Sequence, residues 1–274
     1  MCPEEIILRM EMKFTDSLSM SNLFQNASIF EDPWMREPES AFRIGQRLMK
    51  IMSAILESYA SEDRHHLDYL AISNSEEFRR YLTVARSLQR VDLTALSTDE
   101  KLAFFLNLYN AMVIHALIRR GYPEGMIERK SFVTDFQYLV GGSSYSLNAI
   151  RNGILRSNHR APYALTKPFS AGDDRLQSSP SVRFFSPQNV YAELRAAARE
   201  FFSRNPIEVD LSKRTVCLPC IVKWYSVDFG NGKDIFKWIL SYLDAEKAGL
   251  LSHLLDDGGV INIIYKNYDW SMNS

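Results

Sequence analysis

Residues 97–123 read STDEKLAFFLNLYNAMVIHALIRRGYP, and this stretch decides the architecture. Ser97-Thr98-Asp99-Glu100 has the form of a capping box, in which the serine hydroxyl accepts from the Glu100 amide and the Glu100 carboxylate reaches back to the Ser97 amide. The run that follows to Arg120 is apolar almost all round, and Gly121 with Pro123 supplies a stop. A helix apolar on every side is buried on every side, so this segment is expected to be the central helix of the fold. Asn107, Asn110 and His115 interrupt it. Each is a polar group that must find a partner inside, because burying it unpaired costs about 1–3 kcal/mol.

Upstream, Ile44, Leu48, Ile51, Ile55 and Tyr59 recur at three- and four-residue steps and predict a helix. Phe78, Leu82 and Ala85 predict another from Ser75 to about Leu88, opened by Ser75 with Glu76 and Glu77 at the positive end of the dipole. Downstream, Phe136, Tyr138 and Val140 favour a strand, Gly141-Gly142 a turn, and Tyr145 to Leu147 a return strand. Ser146 then caps a short helix to about Leu155. Residues 156–189 contain Pro162, Pro168, Pro180 and Pro187 and read as loop. An amphipathic helix spans Asn189 to Phe202. Ile207, Val209 and Leu211, then Val216 and Leu218, predict a second pair of short strands, followed by helices over 221–229, 233–243 and 245–255 and a last strand over 260–265. The expected class is α+β: a helix-rich single domain with small antiparallel hairpins packed around the buried central helix. Residues 1–44, interrupted by Pro33 and Pro38, read as a poorly ordered lead-in or the remnant of a preceding domain. The domain proper is 45–274, with a helical lead-in over 45–95, the core motif region over 96–205 and a C-terminal part over 206–274.

The chain has 32 Lys plus Arg against 33 Asp plus Glu, a formal net charge of -1. No cationic cluster stands out, which argues against nucleic acid as the partner. The first residues carry acids before any apolar run, unlike a secretory signal, and an uninterrupted apolar window of spanning length is not evident, so no membrane span is expected. Three cysteines, Cys2, Cys217 and Cys220, are too few for a disulfide framework. A reducing compartment is expected: the cytoplasm, with the nucleus as the alternative.

The candidates for chemistry are few. Asn107 and His115 lie on one stripe of the central helix, with Asn110 a turn from Asn107. They could tie the helix to surrounding loops, or act as an orienting amide and a general base beneath a cleft; the first reading is preferred because no nucleophile is in sight. Asp173-Asp174-Arg175 could offer carboxylates for acid–base or metal work, but adjacent aspartates usually point apart, and a loop braced by Arg175 is favoured. Cys217-Leu-Pro-Cys220 lacks the further ligands of a zinc site and the βαβ setting of a thiol redox pair, so two ordinary thiols are favoured. His65-His66 and His159 read as loop residues, and His253 lies on a Leu-rich helix. Gly141-Gly142 lacks the glycines and helix of a phosphate cradle. No cofactor and no metal are expected.

LAFFLNLYNAMVIHAL, YLVGGSSYSLNAIRNGILR, KWYSVDF and YDWSMN, in that order and spacing, resemble the domain-of-unknown-function-547 family over roughly residues 46–274. The residues that carry the likeness include Asn107, Tyr109, Asn110, Gly141, Gly142, Leu147, Leu155 and Arg156. In the C-terminal part they are Trp224, Tyr225, Asp228, Phe229, Tyr268, Asp269, Trp270 and Asn273. The closest resemblance is to the plant branch in which this domain follows a DEP domain, sometimes with a glutaredoxin-like domain ahead. It implies an interaction or regulatory module with protein partners. A papain- or transglutaminase-like hydrolase or transferase is the alternative, and a thiol redox protein through Cys217 and Cys220 a more distant one. Two departures bear on this. Ile150-Arg151-Asn152 stands where many members have a carboxylate and an imidazole, and the chain passes from Asp173-Asp174-Arg175-Leu176 straight to Gln177-Ser178-Ser179-Pro180 where members carry a further strand-like segment with a His. The resemblance therefore implies a form lacking an internal core segment.

Overall fold

Ser97 caps the central helix as its sequence dictates. Its hydroxyl accepts from the Glu100 amide at 3.3 Å, and the Glu100 carboxylate accepts from the Ser97 amide at 2.9 Å. The computed structural model describes residues 40–61, 67–123, 125–162, 164–178, 190–229 and 232–266. These fall into two compact units, one within residues 11–184 and one within 185–274.

In the first unit, helix α1 (Ala41–Tyr59), α2 (Tyr69–Asn74) and α3 (Glu76–Ser87) precede the central helix α4 (Thr98–Arg120). α2 is capped by Asp68 and α3 by Ser75, each side chain accepting a backbone amide of the first turn. α1 and α3 bury their apolar stripes: Ile44, Leu48, Met52 and Ile55 on one, Phe78 and Tyr81 on the other. α4 is buried on nearly all sides, and Gly121 ends it with φ +71. Among the described residues it is the one helix long and apolar enough to cross a membrane, which corrects the premise that no such window exists. Yet 83% of its most apolar window is buried inside the protein. That is the situation of a core helix.

Helix α5 (Met126–Asp135), which the sequence pattern left unassigned, leads into the hairpin β1 (Gln137–Val140) and β2 (Ser143–Ser146). Gly141 and Gly142 form its turn with φ +54 and +81, conformations that disfavour a side chain, and a Cβ on Gly141 would lie 2.9 Å from the Val91 carbonyl. The expected short helix after Ser146 is a π-helical segment, Ala149–Leu155, and the Ser146 hydroxyl does accept the Ala149 amide. Leu147 and Leu155 belong to the buried core. Gly153 lets the Phe169 ring pack against the backbone, since a Cβ there would clash with that ring. The Asn158 amide fixes Phe169 from both sides, donating to its carbonyl and accepting from its N–H.

In the second unit, α6 (Val190–Arg204) is followed by β3 (Glu208–Asp210) and β4 (Thr215–Pro219), which pair antiparallel as the alternation predicts. Four helices follow: α7 (Cys220–Trp224), α8 (Ser226–Phe229), α9 (Lys233–Leu240) and α10 (Ala245–Asp256). The last strand, β5 (Asn262–Lys266), then pairs parallel with β4. The sequence reading foresaw only antiparallel hairpins. A parallel pairing needs a long crossover, and the four intervening helices supply it. The class is α+β and helix-rich, as expected.

Candidate functional site

Three elements of the first unit converge on one groove. α3 contributes Leu82, Ala85 and Arg86, the C-terminal end of α4 contributes His115 and Arg119, and β1 contributes Gln137, Tyr138 and Leu139; Gln89 completes the lining. The groove has a volume of about 370 Å³. His115 is reached at one end of a buried hydrogen-bond chain. Its Nδ1 lies 2.5 Å from the Tyr138 hydroxyl, which lies 2.8 Å from the Tyr81 hydroxyl, which donates to the Ala111 carbonyl at 3.2 Å.

That chain has only one consistent proton arrangement. The Ala111 carbonyl accepts and cannot donate, so the single Tyr81 proton is spent on it. Tyr138 must then donate to Tyr81, and the Tyr138 oxygen is left to accept from His115. His115 is thereby fixed as the Nδ1–H tautomer, with a lone pair on Nε2. The rings of Phe78, Tyr81, Phe136 and Tyr138 stand edge-on or tilted against the imidazole at centroid distances of 5.0–5.7 Å. Burial among them, with a smaller push from the Arg119 charge, lowers the His115 pKa to about 4. Burial likewise raises the Tyr138 hydroxyl, and raises Tyr81 well above the usual phenol value with further help from Tyr138. The imidazole is neutral at physiological pH and the phenols keep their protons.

Residues 93–178 match the family model described as "Protein of unknown function, DUF547". The matched stretch runs from just before α4 to the end of the 3₁₀ turn Asp174–Ser178, and it supports that family for this segment. No curated protein and no solved structure matches the chain.

Within the matched segment the candidate residues do not assemble into one site. His115 faces the groove. Asn110 is 1% exposed, and its Oδ1 has no hydrogen-bond partner among the described residues. Asn107 is half-buried and, like Asn110, does not line the groove. Tyr109 is buried and receives a bond from Arg151 Nη1 at 3.4 Å. Asp173 is held by Arg175, which donates from Nε at 2.9 Å, from Nη2 at 2.6 Å and from its backbone amide at 3.0 Å. These bonds keep the Asp173 carboxyl below its ordinary range. Arg175 also donates to the Ser144 carbonyl at 2.6 Å and lies 4.4 Å over the Phe169 ring. Asp173 is thus part of a brace between loop and hairpin. Arg156, only 7% exposed, donates to Asn152 Oδ1 at 2.5 Å and to the Arg160 carbonyl at 3.1 Å, closing the turn after the π-helix.

In the second unit, Tyr225 and Phe229 are core residues and Trp224 packs against them. Asp228 closes the turn between α7 and α8 through its amide, bonded to the Tyr225 carbonyl. Cys217 on β4 and Cys220 at the start of α7 are free, half-buried thiols. No group of three or more His, Cys, Asp or Glu able to hold a metal ion occurs among the described residues. Cys2, His65, His66, Tyr268, Asp269, Trp270 and Asn273 lie outside the described residues.

Sequence reasoning missed Tyr81, Tyr138, Arg86 and Arg119. Two signals were present. Arg119 falls one turn after His115 on the same face, and Tyr81 sits on a helix stripe deep enough that its hydroxyl needs a partner.

Proposed function

We propose that this chain is a non-catalytic interaction module and that the His115 groove is its binding face. One observation carries the reading: the groove holds a neutral imidazole of low basicity, and among the described residues neither serine, threonine, cysteine nor carboxylate lines it. A general base works best with a pKa near the operating pH and with a nucleophile in reach, and His115 has neither. Supporting it further, Asn107, Asn110 and Asp173, the other residues considered for catalysis, do not line the groove; Asn110 is buried and Asp173 is paired with Arg175. The resemblance over roughly residues 46–274 supports a place in the plant, DEP-linked branch, with protein partners in a cytoplasmic setting. The direct passage from Leu176 to Gln177 supports a form lacking an internal segment.

The test is turnover and labelling. Purified chain and a His115→Gln variant are offered broad ester and peptide substrates, then serine- and cysteine-directed activity probes. No His115-dependent hydrolysis and no difference in labelling is the expected result. Turnover that His115→Gln abolishes, in a variant that melts like the parent, would establish the hydrolase reading instead.

A further inference from the structure

Resting on that reading, we propose that the groove takes an acidic, partly apolar peptide segment. Its carboxylate lies with the Arg86 and Arg119 guanidiniums, and a main-chain N–H of the peptide is accepted by His115 Nε2.

Three features of the groove specify this chemistry. The first is charge. Arg86 and Arg119 both line it, no Asp or Glu does, and neither guanidinium has a carboxylate partner among the described residues. This contrasts with the neighbouring Arg79 and Arg80, both paired with Glu76 on α3. Arg119 is steadied over the Phe78 ring at 5.2 Å, which leaves its donor edge available while fixing its position. Two guanidiniums lining one groove, that of Arg119 held in place and neither with an anion partner among the described residues, form a site for a ligand carboxylate.

The second feature is the acceptor. The Tyr138–Tyr81–Ala111 chain holds His115 as the Nδ1–H tautomer, and no hydrogen bond to Nε2 occurs among the described residues. A neutral nitrogen lone pair repels a second carboxylate and favours an N–H or O–H donor. The third is the apolar floor: Leu82 and Leu139 line the same groove, and Leu139 is 44% exposed, on a strand whose alternate residues are half-buried Tyr138 and buried Val140. An inorganic anion uses the first feature and leaves the apolar floor wet. An apolar helix face uses the third and leaves two arginines unpaired. A short extended segment with a Glu or Asp next to an apolar residue engages all three, since its backbone supplies the N–H. The 370 Å³ volume suits a few residues, within the range of small-ligand clefts.

The full chain would be titrated with an acetylated, amidated Glu-Leu repeat peptide, its Gln-Leu counterpart and inorganic phosphate. Binding is read by fluorescence anisotropy of labelled peptide and by the ¹⁵N resonance of His115 Nε2, assigned by its loss in His115→Gln. The Glu-Leu peptide is expected to bind and to move the Nε2 resonance toward the hydrogen-bonded range. Replacing either arginine (Arg86→Gln, Arg119→Gln) is expected to weaken it about tenfold, as loss of a charge-assisted bond does. Arg86→Lys, which keeps the charge but not the fork, should fall between. Both side chains are on the surface, so thermal melts of the variants should match the parent.

Equal binding of the Glu and Gln peptides, or no binding of either up to about 1 mM, overturns the proposal. So does saturation of the Nε2 shift by phosphate alone, which would make this a small-anion site. Failure here is separate from failure of the module reading, which falls only to His115-dependent turnover.

Discussion

Replacing His115 by glutamine should remove a defined piece of the pH dependence of folding. In the unfolded chain a histidine protonates near 6.5, whereas in the folded protein His115 protonates at about 4. Between those values the unfolded state holds the extra proton, so stability is fully present above 6.5, falls as pH drops, and levels off below about 4. At 1.36 kcal/mol per unit, that gap corresponds to about 3 kcal/mol. This is an upper figure, because the ring is partly open to the groove. Glutamine cannot titrate and still offers an N–H to Tyr138. The assay is urea unfolding of parent and His115→Gln from pH 7 to 4, followed by circular dichroism. Trp224 and Trp238 lie in the 185–274 unit, so tryptophan fluorescence would favour the unit without His115. With a slope of about 2 kcal/mol per molar urea, the midpoint difference between the two proteins should change by about 1–1.5 M over that range. Asp173 and Asp210 also lose stabilising interactions as pH falls, but they titrate in both proteins and cancel in the difference. A midpoint difference that stays constant from pH 7 to 4 would refute the reasoning, and with it the claim that burial holds His115 neutral.

Three further outcomes are expected. Ser97→Ala removes the hydroxyl half of the capping box and should cost about 1 kcal/mol in chemical denaturation; an unchanged midpoint would show that the cap is dispensable. Gly153→Ala drives a methyl into the Phe169 ring, which Asn158 holds in place, and should cost about 1–3 kcal/mol. Phe169→Leu in that background should then recover part of the loss, and failure to do so would place the clash elsewhere. Asn110→Leu replaces a buried amide whose oxygen has no partner among the described residues, so thermal stability should rise, by about 1 kcal/mol. A loss of stability instead would mean the oxygen is satisfied, for instance by an internal water.

Much of the fold was legible because it is specified locally. The capping box around Ser97, the paired glycines of the hairpin and the amphipathic stripe of α1 each act within a few residues, and each formed where the pattern placed it. The parallel β4–β5 pairing was not legible, because strand direction depends on the path of four helices between the strands. The π-helical segment was read as an ordinary helix for a related reason. Phe169 packs on Gly153 and Asn152 is buried within it, contacts that no periodicity reports. The groove was half legible. His115 stood out as a polar break in an apolar helix, but its partners came from α3 and β1, remote in sequence. Asp173, equally conspicuous in sequence, turned out to be bound within two residues of itself.

The position of His115 along α4 also determines which electrostatic effect controls it. Ala111, His115 and Arg119 follow one another at four-residue steps on one stripe, passing from fully buried Ala111 to exposed Arg119 at the last turn. The C-terminal end of a helix favours a cation, by about 0.3–1 kcal/mol in exposed settings and up to about 2 kcal/mol where partly buried. That effect falls off within the last turn, which His115 precedes, and the His115 pKa is lowered to about 4 rather than raised. Burial in the aromatic box comes first among the causes and the Arg119 charge second. Neutralising the lesser contributor should therefore move the titration only part of the way. In Arg119→Gln, the His115 Cε1–H resonance followed against pH should show a midpoint above the parent value and still clearly below 6.5. A midpoint that returns to 6.5 would mean that the arginine, not the ring box, holds the imidazole neutral, and the acceptor on Nε2 would then depend on the same charge that attracts the ligand.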